Sequence, residues 1–128
     1  MEYGLQLFSV RDVTETDFKG TLEKVAEMGY RYVEPAGFFG HSAQEVKEML
    51  DQTGLKVSGA HVGWQEISEN FAETVAYHKT IGNKNLIIPA AELDTKEKVD
   101  AFLAMINECQ PKLEAEGMVL QYHNHDFE

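Results

Sequence analysis

His123 and His125 stand two residues apart just after an apolar run, Met118-Val119-Leu120, and Asp126 and Glu128 follow them. Imidazoles and carboxylates at the end of a buried strand are the groups that bind a divalent metal or move protons near neutral pH. Side chains alternate across a strand, so Gln121, His123 and His125 are expected on one face, with Tyr122 and Asn124 on the other. The two imidazoles can share a metal, or one can hold a metal while the other contacts substrate. Two ligands fall short of the three or four that protein zinc sites use, and no Cys-x-x-Cys or His-Glu-x-x-His pattern accompanies them.

Three further positions put reactive side chains into strand-like surroundings. Gln6 is flanked by apolar residues in Leu5-Gln6-Leu7-Phe8 and is expected to point away from the face its neighbours bury. Glu34 sits in Tyr32-Val33-Glu34-Pro35, where a carboxylate is costly unless paired or hydrogen-bonded. His61 lies in Ser58-Gly59-Ala60-His61-Val62-Gly63-Trp64. Glycines on both sides admit close approach by a ligand or backbone, and Trp64 offers a flat wall for a sugar ring. Each has a structural alternative: a satisfied core amide for Gln6, an ion pair for Glu34, a packed imidazole for His61. His41, in a loop, and His78, on a helix, are read as structural or solvated.

The elements that must position these residues alternate along the whole chain. Apolar runs over Gly4 to Val10, Tyr32 to Ala36, Lys56 to Val62, Asn85 to Ala90 and Met118 to His125 read as five strands. Amphipathic stretches over Asp17 to Met28 and Ala43 to Thr53 read as helices. Two more are carried by Phe71, Val75, His78 and Ile81, and by Val99, Phe102, Leu103 and Ile106. Ser42 with Glu45, Asn70 with Glu73 and Asp94 with Glu97 have capping-box spacing, while Gly29, Gly54, Gly82 and Gly117 follow the helical patterns as left-handed caps. Pro111 is expected to kink or divide the fourth helix. Strands joined through helices run parallel, which leaves a doubly wound sheet or a barrel. The first turn, Ser9-Val10-Arg11-Asp12-Val13-Thr14, has no glycine-rich phosphate loop, so the barrel is favoured.

Composition narrows the function classes. The 128 residues carry 22 acids against 11 bases, a net charge of −11, which repels a phosphate backbone and disfavours nucleic acid as partner. An apolar fraction of 43% is that of an ordinary globular domain. There is no bilayer-length apolar run and no signal-peptide pattern, so the cytoplasm is the expected location. The single cysteine, Cys109, sits in a helical apolar stripe and reads as a small buried hydrophobe.

The segments Gly4-Leu5-Gln6-Leu7-Phe8-Ser9-Val10-Arg11, Gly29 to Glu34, Gly54 to His61 and Tyr122 to Glu128 together resemble the sugar phosphate isomerase/epimerase family of the xylose isomerase-like superfamily. The resemblance implies an α/β fold of parallel (β/α) TIM-barrel type and a divalent metal, Mn, Zn or Mg, in the complete enzyme. It also implies proton abstraction next to a sugar carbonyl. On that likeness Glu34 and His61 are catalytic, Gln6, Trp64 and His125 bind substrate, and His123 is the fifth-strand metal ligand, where many relatives have glutamate.

A full barrel of this type needs roughly 250 residues. Residues 1–128 are therefore expected to be the N-terminal portion, about five strands and four helices of eight. Alone the chain is expected to be inactive, too poor in ligands to bind a metal tightly, and self-associating through open sheet edges. Two other functions compete: a non-catalytic half-barrel that binds sugar or assembles with a partner chain, and an inosose dehydratase-like lyase. An abasic-site endonuclease is disfavoured by the negative charge.

Overall fold

The computed structural model describes residues 1–128. Three of its helices begin where a side chain replaces a missing backbone partner. The third α-helix, α3 (Ala43–Thr53), opens on a reciprocal capping box, with Ser42 Oγ accepting from the Glu45 amide and the Glu45 carboxylate accepting from the Ser42 amide. It closes on Gly54 at φ 72°, a left-handed conformation that costs a side-chain-bearing residue 1–2 kcal/mol or so. The helix α2 (Phe18–Glu27) is capped by Asp17, whose carboxylate accepts from the Gly20 amide.

Two expected caps move. Asn70 makes no side-chain cap bond, because it ends α4 (Trp64–Glu69) and starts α5 (Phe71–Thr80) at the same time. At α6 (Lys96–Ala115) the cap is Thr95, which accepts from the Lys98 amide, and Asp94 instead pairs with Lys98 Nζ at 2.8 Å. Pro111 does not divide α6. The buried stripe Phe102, Met105, Cys109 and Leu113 runs past it on both sides and holds the helix to the sheet.

The strands are shorter than the apolar runs. β1 (Gly4–Gln6) ends at Gln6, and Leu7–Val10 curls into a single 3₁₀ turn followed by one short helix, α1 (Arg11–Thr14). β2 is Tyr32–Glu34. The third run breaks into β3 (Lys56–Val57) and β4 (Ala60–His61), and the remaining strands are β5 (Asn85–Ile88) and β6 (Val119–Tyr122). All pairings are parallel: β2 lies between β1 and β3, and β5 between β4 and β6. The backbone carries the sheet across the break, with the Ser58 amide on Val33 O and the His61 amide on Pro35 O. Strand neighbours in space are thus neighbours in sequence. A doubly wound sheet reverses its strand order, whereas a barrel wall does not, and this wall does not.

Alternation along the strands sorts the two faces. Leu7, Val33, Leu86 and Ile88 face the helices and are fully buried, in two clusters that cover the two halves of the sheet. Gln6, Glu34, Ile87 and Gln121 line the other side. No helix is long and apolar enough to cross a membrane.

Candidate functional site

A groove of about 650 Å³ opens over the ends of β1, β2, β5 and β6, lined by Gln6, Glu34, Ile87, Gln121, Tyr122, His123 and Asn124. Strand register builds its polar floor. Gln6 is directly opposite Glu34 in the β1–β2 ladder, and Gln6 Nε2 donates to Glu34 Oε1 at 2.8 Å. His61, the last residue of β4, brings Nε2 to 3.1 Å from the same oxygen. That imidazole nitrogen is buried yet has no directed hydrogen bond, so the contact is close but off-line. Burial depresses the His61 pKa below its usual value, and although Glu34 pulls it up, burial prevails, with His123 and His125 adding to the depression. His61 is a neutral imidazole set against a carboxylate.

The C-terminal histidines continue the row. The His61 and His123 rings meet edge to face at 5.8 Å between centroids, and His123 stacks on His125 at 4.9 Å. Strand alternation does not produce this juxtaposition, because β6 stops at Tyr122 and both histidines lie beyond it. The His123 amide still reaches Ile88 O at 2.9 Å, and a turn follows in which Glu128 accepts from the His125 amide at 2.9 Å. His125 Nδ1 also faces Glu128, at 3.3 Å.

Of the residues singled out by sequence, Gln6, Glu34, His61 and His123 converge, and His125 stacks at their margin. Trp64 goes elsewhere. It is the first residue of α4, packs edge-on to Phe102 at 6.2 Å, and lines a separate cleft with Leu93, Lys98 and Phe127. His41 stacks on Phe18, and His78 is buried against Asn83. Ile87 and Asn124, which the groove uses as lining, carried no sequence signal: one looks like any buried strand residue and the other like a turn.

No group of three or more His, Cys, Asp or Glu side chains in this chain converges to hold a metal. His123 is one available donor, and His125 Nδ1 is already turned to Glu128. The residues present do not make a complete site for a catalytic metal, which takes three protein ligands or so.

Solved structures share this architecture. A sugar phosphate isomerase/epimerase from Parabacteroides distasonis superposes with a TM-score of 0.77 at 19% identity, over 97% of this chain and 51% of that one. These likenesses show the fold, part of a parallel (β/α) barrel. An AP endonuclease, family 2, from Brucella melitensis matches the same wall with a TM-score of 0.73 at 18% identity, over 95% of this chain and 55% of its own. The IOLI protein, described with a bound zinc atom, matches at 0.65 and 16%, over 95% and 51%. The chain spans about half the length of the barrels it matches. No family model matches the sequence, and no curated protein matches it.

Proposed function

We propose that residues 1–128 are the N-terminal portion of a xylose isomerase-like (β/α)₈ barrel that acts on a small sugar or sugar derivative by moving a proton next to its carbonyl. The observation that supports this most is the placement of one carboxylate, Glu34, between an amide donor and a neutral imidazole, at the carboxyl ends of parallel strands. In this reading Glu34 takes the proton from the carbon beside the carbonyl. Gln6 holds the carboxylate in orientation, and His61 serves the carbonyl oxygen, where negative charge develops. His125 meets the remote end of the substrate. A divalent metal held through His123 would polarise the same carbonyl in the complete barrel. The strong negative charge favours a small neutral sugar over a polyphosphate or nucleic acid.

The chain by itself has the groove and one metal donor, so it binds sugar and turns none over. The test combines chemical-shift mapping of a panel of ketoses and aldoses with deuterium wash-in from D₂O, with and without Mn²⁺. Shifts at Gln6, Glu34 and His61 without wash-in are expected. Sugars that leave those resonances unmoved sink the proposal, and turnover by the 128-residue chain removes its incomplete-barrel half. In a barrel completed by its remaining strands, wash-in appears and Glu34→Gln lowers it by about 100-fold or more. The alternative is a half-barrel that only binds sugar or a partner chain. It predicts no wash-in under any condition.

A further inference from the structure

The third strand changes partners in mid-course. β3 pairs with β2 and β4 with β5, while Ser58 and Gly59 between them belong to neither ladder. A carbonyl at such a break must find its donor elsewhere. Ser58 O finds it in a side chain: Asn85 Nδ2, on the first residue of β5, donates to it at 2.8 Å. On its other side Ser58 turns both its amide and its hydroxyl to Val33 O, at 3.0 and 3.3 Å, one residue before Glu34.

Asn85 can spend its side chain this way because another residue holds its backbone. Asn83 Oδ1 accepts from the Asn85 amide at 3.1 Å, and Asn83 Nδ2 donates to Asn85 O at 3.0 Å. The same Nδ2 lies 2.9 Å from His78 Nδ1. Asn83 and His78 are 1% and 2% exposed. Burial pushes the His78 pKa down to about 4, so its ring stays neutral, accepts at Nδ1 and keeps its hydrogen on Nε2. The fit around the break is tight. A Cβ on Gly59 would stand 2.8 Å from Ile87 Cδ1, and Ile87 lines the groove.

We propose that Asn85, backed by Asn83 and His78, is a positioning residue for the Glu34 and His61 pair: it sets the register of the broken third strand so that His61 Nε2 meets Glu34 Oε1. The inference rests on the functional reading of that pair. None of the three residues lines the groove: His78 holds the Asn83 side chain, Asn83 holds the Asn85 backbone, and Asn85 holds the Ser58 carbonyl.

The test is NMR of the chelator-treated 128-residue chain at one fixed pH, reading the His61 ring resonances and the nuclear Overhauser contact between that ring and the Glu34 side chain. In Asn85→Ala the contact is lost and the His61 ring resonances shift, while those of His41 and Trp64 stay in place. Asn85→Asp keeps the size and removes the donor, so it gives the same loss of contact; it also decides the matter if the alanine variant does not fold. Retention of the His61 to Glu34 contact in a folded variant overturns the proposal. Unfolding of both variants also overturns it, because Asn85 then supports the whole fold rather than the local register. Sugar titration of the unmutated chain tests the functional reading separately, since the contact is present whether or not sugar binds.

Discussion

Glu34 is approached by two nitrogens at one oxygen, Gln6 Nε2 at 2.8 Å and His61 Nε2 at 3.1 Å. Only the first makes a directed hydrogen bond, so the amide orients the carboxylate and the imidazole is left with an unspent nitrogen. Precision at this scale depends on a residue with no side chain. Gly59→Ala would drive a methyl into Ile87, and overpacking of this kind costs about 1–3 kcal/mol, readable as a lower urea midpoint with unchanged slope. An unchanged midpoint would mean that β5 yields easily. Gln6, Glu34 and His61 were legible because polar side chains inside apolar strands are expensive and therefore conspicuous. Asn83 and Asn85 were not, since Asn-Lys-Asn after a glycine looks like any turn and its hydrogen bonds reach 27 residues back to Ser58. Trp64 misled for a related reason. It opens a six-residue helix in which only Ile67 is buried, too little for a period to show.

At the scale of elements, α3 and α5 make opposite demands on pH and sequence. The α3 capping box is local, and Ser42→Ala is expected to cost about 1 kcal/mol in denaturant unfolding with no change in the groove. His78 on α5 is global. Its folded pKa of about 4 lies below the 6.5 of an exposed imidazole. Between those values the unfolded chain binds a proton that the folded chain refuses, so stability falls as pH drops from 6.5 towards 4. Below that window the loss from this group approaches about 3 kcal/mol. Unfolding free energies measured across pH 4 to 7 check this, and His78→Gln should flatten the slope there. A slope that is the same in both proteins would show that other groups set the acid limit. The four longer helices were readable, α3 to the residue, because apolar period and glycine caps agree, whereas α1 and α4, of four and six residues, are too short to show a period. Strand ends were harder: Leu7 is buried beside exposed Phe8 and Ser9, a spacing that fits the end of β1 and the start of a turn equally well.

The whole molecule is an arc with its strands in sequence order, and β1 and β6 each have a strand neighbour on one side only. Unpaired strand edges recruit other strands. The 128-residue chain is therefore expected to self-associate, with Tyr3 and Val119, both half-exposed or more, close to the joined edges. Sedimentation at rising concentration should show dimers or larger species, and a monomer throughout would count against this arrangement. The parallel α/β wall could be anticipated from the unbroken alternation of strand and helix, and the barrel type from the lack of a glycine-rich loop after the first strand, whereas the division of its third strand depends on side chains from other elements. Behind the arc lie two hydrophobic clusters, and α5 joins them, giving Val75 to one and, through the Ile81 that caps its C-terminus, a buried side chain to the other. The only tryptophan, Trp64, packs against the cluster that contains Phe102. Its emission therefore watches one half of the molecule. If the halves open at different denaturant concentrations, fluorescence and far-ultraviolet circular dichroism give separate transitions, and α5 is the spring between them.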